Sequence, residues 1–93
     1  MFDRILKIMR EKIRTNEYIM TLHAEEEMDN DDFTIFDIER SILNGAIIGR
    51  NRDTDTKENK YTIIGESILG SKVGIITKIS LTGKLVIITV YKL

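Results

Sequence analysis

Apolar positions fall at helical spacing up to about residue 45 and in strand-like runs beyond it. Phe2, Ile5, Leu6, Met9 and Ile13 recur three and four apart, with Arg4, Lys7, Arg10, Glu11, Lys12 and Arg14 on the remaining positions, which predicts an amphipathic helix over about 2–14. Asn16 interrupts the stripe, and Tyr18-Ile19-Met20-Thr21 reads as a short extended piece. Thr21 suits an N-cap: its hydroxyl can accept from a free backbone N–H, and Glu25 and Glu26 follow where the helix dipole favours anions. A short helix is expected over Leu22–Met28, ending in the turn-forming run Asp29-Asn30-Asp31-Asp32.

Thr34 and Asp37 approximate a capping box, Ile35, Ile38 and Ile42 with neighbouring Leu43 form a stripe, and Asn44-Gly45 suits a left-handed stop, so a third helix is expected over about 35–44. From Ala46-Ile47-Ile48 onward the residues are strand-formers. Asp53–Asn59 reads as a polar loop, Lys60–Glu66 as a strand, Ile68–Ser71 as a turn, and Lys72–Ser80 and Lys84–Leu93 as strands joined through Leu81-Thr82-Gly83. Short connections favour antiparallel pairing. The expectation is an α+β fold, N-terminal helices followed by an antiparallel sheet of about four strands with the helices on one face, in a single domain over 1–93.

Composition narrows the function classes. The 93 residues include no Cys, which removes disulfides and thiolate chemistry and suits a reducing cytoplasm. The longest apolar runs are far shorter than the ~20 residues of a membrane span, so no membrane partner is expected for the basic first helix, which should dock on the sheet. The net charge of −1 hides a segregation: residues 1–16 carry five basic and two acidic groups, 17–39 carry nine acidic and no basic, and 40–93 carry nine basic and four acidic. Part of the surface can attract phosphate while the chain as a whole does not.

Candidate chemistry centres on His23, the only histidine, whose imidazole can move a proton to or from a ribose hydroxyl. Glu26 and Glu27 lie three and four residues on, within reach along one helix side. The acidic run lacks the Asp-x-Asp-x-Asp-Gly spacing with a distal Glu of a calcium loop, so it reads as solvated charge and no metal or other cofactor is expected. Candidate phosphate ligands are Arg50, Arg52, Lys60, Lys78, Lys84 and Lys92, the arginines giving the firmer forked contact. Thr89 and Tyr91 share a strand face, and tyrosine can stack on a base or donate to phosphate. No phosphate-binding loop exists, since Gly65 to Gly70 is followed by Ser71-Lys72 in reversed order.

Thr21-x-His23-Ala24-x-Glu26-x-Met28, then Asn44-Gly45 with Ala46-Ile47-Ile48, then Ile87-Ile88-Thr89-Val90-Tyr91 resemble, in that order, the prokaryotic family called domain of unknown function 4258, over about Tyr18–Tyr91. That family is similar to RelE and BrnT type toxins, many of them metal-independent ribonucleases paired with an antitoxin. The resemblance implies a RelE-like domain with RNA as substrate and an antitoxin protein as partner. In that reading His23 transfers the proton, Glu26 orients it, Arg50 and Arg52 stabilise phosphate charge, and Tyr91 lines the site. The chain departs from the family where relatives commonly carry basic residues: Glu27 follows Glu26, and Asp29–Asp32 follow the helix. The competing expectation is a non-catalytic interaction domain whose acidic 25–32 segment and exposed sheet edge engage a protein, including a homodimer mate.

Overall fold

A computed structural model describes all of residues 1–93. The order is α1 (Asp3–Arg14), β1 (Tyr18–Met20), α2 (Leu22–Asn30), α3 (Ile35–Asn44), β2 (Ala46–Arg52), β3 (Asn59–Glu66), β4 (Lys72–Ile79) and β5 (Leu85–Lys92). α1 and α3 fall where their apolar spacing puts them, and α2 runs two residues past the expected end at Met28, to Asn30. Leu6, Met9 and Ile13 are the buried residues of α1, and Ile38, Ser41 and Ile42 those of α3. The capping box at Thr34 and Asp37 is complete.

The sheet differs from the expected four antiparallel strands: it has five, in the order β1-β5-β4-β3-β2. β2 to β5 form antiparallel hairpins, but β1 pairs parallel with β5, Tyr18 opposite Leu85 and Met20 opposite Ile87. A three-residue piece becomes a strand because the last strand offers its outer backbone to it. A second correction concerns Gly45, which ends α3 in extended backbone (φ −88°, ψ −175°) and not in the left-handed region. Glycine is needed there for space: a Cβ would lie 2.5 Å from the Ser41 carbonyl oxygen. Gly83 does take the left-handed turn conformation, at φ 86°.

The helices cover one face of the sheet. Met9, Ile13, Ala24, Phe33, Ile38 and Ile42 pack with Ile63, Val73, Ile75, Leu85, Ile87 and Val90 into one core. Pairing registers set the opposite, helix-free face: Ile64, Gly74 and Tyr91 form one row across it, Thr62, Ile76 and Thr89 the next. The Tyr91 ring lies directly on Gly74, where any Cβ would overlap it. No helix is long and apolar enough to cross a membrane.

Candidate functional site

The histidine-bearing helix is fastened to the last strand by three polar contacts. Where β1 ends, the Thr21 N–H donates to the Ile87 carbonyl at 3.0 Å, and the Thr21 hydroxyl donates to the Ile88 carbonyl at 3.1 Å while accepting from the Ala24 N–H at 3.1 Å. One residue thus caps α2 and docks it. Further on, the Val90 N–H donates to Glu27 Oε1 at 3.1 Å, so a carboxylate satisfies an edge donor of β5 that β1 is too short to reach. Helical periodicity explains the arrangement. Ala24 and Met28 point into the core, Glu27 lies about 60–100° round the helix from them, and His23 about 40° beyond Glu27.

The His23 Nε2 atom lies 3.0 Å from Glu27 Oε1, the same oxygen that accepts from Val90. Glu27 is largely covered, at 27% side-chain exposure, and the imidazole is open to solvent at 67%. Glu26, the expected orienter, is exposed and makes no hydrogen bond; the i,i+4 carboxylate holds the ring in its place. A histidine held at Nε2 by a carboxylate leaves Nδ1 free to exchange a proton.

The other expected site residues divide. Tyr91 and Thr89 flank Val90 on β5 and face the helix-free side, so the fold brings the two halves of the resemblance motif to one stretch of strand. Arg50 and Arg52 do not join them. They lie on β2, three strand spacings from β5, about 14 Å across the sheet. Arg50 shares the helix-side row of Tyr61 and Thr77, and it lines a hollow of about 230 Å³ with Phe2, Arg4 and Ile5. Neither guanidinium forms an ion pair within 4 Å.

Two lysines on the candidate list are already engaged: Lys60 pairs with Asp53 at 3.2 Å and Lys78 with Glu58 at 3.3 Å. Lys92 borders a hollow that also holds Asp31, Asp32 and Asp37. Backbone N–H groups of Thr56 and Asp55 and the Lys60 ammonium hold the Asp53 carboxyl below the usual range. No three His, Cys, Asp or Glu side chains are grouped to hold a metal ion.

Two features escaped the sequence reading. Tyr18 donates from its hydroxyl to Glu39 Oε2 at 2.6 Å, tying β1 to α3, and burial followed by that carboxylate pushes the phenol well above its ordinary pKa. The second is a hollow of about 390 Å³ on the outside of α3, between Phe36, Leu43 and Ile68. Leu43, expected in the apolar stripe, instead stands two helical turns from Phe36 on the side opposite buried Ile38, Ser41 and Ile42, a position that helical spacing from Phe36 signals.

Three helices on one face of a five-stranded mixed sheet, with the helix carrying the sole histidine clipped to the final strand, define a small α+β domain. The chain belongs to the family described as Domain of unknown function (DUF4258), whose sequence model matches residues 20–92. The matched span includes both partners of the α2–β5 contact, while α1 precedes it. No curated protein and no solved structure matches the chain.

Proposed function

We propose that this domain is a non-catalytic protein-interaction module of the cytoplasm. The observation that carries the reading is the electrostatic setting of His23: its one ionic partner is Glu27, exposed Glu25, Glu26 and Asp29 share its helix, and Arg50 and Arg52 lie across the sheet. A phosphate approaching this imidazole meets Glu27 and its acidic neighbours first, and the two arginines expected to stabilise transition-state charge lie three strand spacings away. The same distribution suits association between proteins, in which an acidic and a basic end steer complementary surfaces together.

A second reading has its own support. A RelE-like, metal-independent ribonuclease with an antitoxin partner is supported by the docking of α2, which ties His23 through Glu27 to Val90, between Thr89 and Tyr91. In that reading Nδ1 of His23 is the proton-transfer atom, Glu27 its orienter, and Tyr91 the ring that stacks on a base.

One experiment separates the two. Purified protein at high concentration is incubated with mixed RNA in EDTA, beside a His23→Ala variant. Intact RNA in both is the expected result. Cleavage by the wild type that the variant loses would replace the interaction reading with the ribonuclease one.

A further inference from the structure

We propose that a second copy of this chain docks antiparallel on the outer face of α3, forming a two-fold dimer in which each Phe36 enters the hollow beside the other copy's Leu43. This deepens the interaction reading and rests on it.

The surface is apolar, exposed and preformed. Phe36 is 65% exposed, Ile68 56% and Leu43 36%, and the hollow among them, completed by Glu39, Arg40 and Asn44, has room for an aromatic ring. Its walls are fastened. Asp37 Oδ1 accepts from the Ile68 N–H at 3.0 Å, and the Asn44 side chain both donates to the Glu66 carbonyl at 3.0 Å and accepts from the Glu66 N–H at 2.9 Å. The turn that carries Ile68 is thereby held along α3 before any partner arrives, so little ordering is needed on binding. A contiguous apolar patch flanked by polar side chains marks an association surface.

The choice of occupant follows from the spacing of the patch. A two-fold axis passing between residues 39 and 40 of two antiparallel helices sets Phe36 against the second copy's Leu43 and, one helical turn inward, Glu39 against the second copy's Arg40. Both pairings occur twice and both are complementary. Arg40 is exposed and has no ionic or hydrogen-bonding partner within its own chain, whereas Glu39 uses only Oε2 on Tyr18 and keeps Oε1 free. An acidic or a basic foreign peptide would satisfy one of these charges and oppose the other. A copy of the same helix satisfies both.

The area is modest. A helix of 10 residues is about 15 Å long, so the helix and its adjoining turn stay below the ~800 Å² per partner of a standard stable interface. The expected dissociation constant is on the order of 0.1 mM, a reversible dimer.

Sedimentation equilibrium from about 10 μM to about 1 mM tests it, the range set by that constant. The wild type should pass from monomer to dimer mass, and Phe36→Ala should weaken association by about 10-fold or more. Arg40→Glu and Glu39→Arg should each stay monomeric alone, since each places like charges across the axis, and should form a heterodimer when mixed. Circular dichroism on each variant checks that the fold is kept. A wild type that remains monomeric at ~1 mM would overturn the proposal. So would a dimer whose mass ignores Phe36→Ala and the mixing of the charge variants, because association would then use another surface while the interaction reading stood. Histidine-dependent RNA cleavage would instead remove that broader reading and leave the sedimentation result to decide the dimer alone.

Discussion

α2 and α3 begin alike and are held differently. Each starts at a threonine whose hydroxyl accepts from a backbone N–H three residues on, and they run for 9 and 10 residues. α3 then buries Ile38, Ser41 and Ile42 against the sheet, whereas α2 buries only Ala24 and depends on Thr21 and Glu27 reaching the backbone of β5. Packing spreads its stabilisation over many atoms; two side-chain hydrogen bonds concentrate it in two residues. The helix that carries the histidine is therefore the more easily detached, and in native-state hydrogen exchange its amides should open before those of α3.

The comparison can be broken from either side. Ile42→Ala removes a fully buried side chain from α3 and should lower unfolding stability by about 2–5 kcal/mol, read as a fall in the urea midpoint. Next comes Thr21→Ala, which loses both the cap on α2 and the bond to Ile88 and should lower stability by about 2 kcal/mol. Thr34→Ala, which removes the hydroxyl acceptor of a cap, should lower it by only about 1 kcal/mol. Equal losses for the two threonines would mean that the contact with β5 adds nothing to the hold on α2.

The start of α3 should also answer to acid. The Thr34 N–H, joined by the Ile68 N–H and the Thr34 hydroxyl, holds the Asp37 carboxyl below its ordinary value of 3.8. A carboxylate depressed in the folded state contributes stability that is complete above the unfolded value and lost as pH falls through the lower, folded one. Asp37→Asn should therefore be less stable than the wild type at neutral pH, and the gap should narrow below about pH 4. Urea titrations at both pH values read this directly. The smallest effect belongs to His23→Ala. The imidazole is exposed and Glu27 keeps its bond to Val90, so stability should stay within about 0.5 kcal/mol of wild type.

What the sequence disclosed follows the range of the interactions. α3 was legible down to its capping box because Thr34, Asp37 and the apolar stripe lie within one helix. β1 was not read as a strand of the sheet: three residues carry little pattern, and their partner lies at Leu85–Ile87. At the site, spacing made Glu26 and Glu27 equally eligible for His23, and the choice fell to Glu27 because its oxygen also serves the Val90 N–H. The separation of Arg50 and Arg52 from the histidine was more accessible. Successive hairpins lay strands side by side in chain order, so β2 and β5 had to end with two strands between them. What no local rule supplied was that α2 would dock on the β5 side.

The parallel pairing of β1 with β5 has a consequence for how the polypeptide comes together as it is made. Thr21 and Ile88 are 67 positions apart, so the first strand emerges from the ribosome long before the strand that receives it. Until then the docking groups of α2 have no template, and a nascent chain stalled before Leu85 would show that surface to chaperones and proteases.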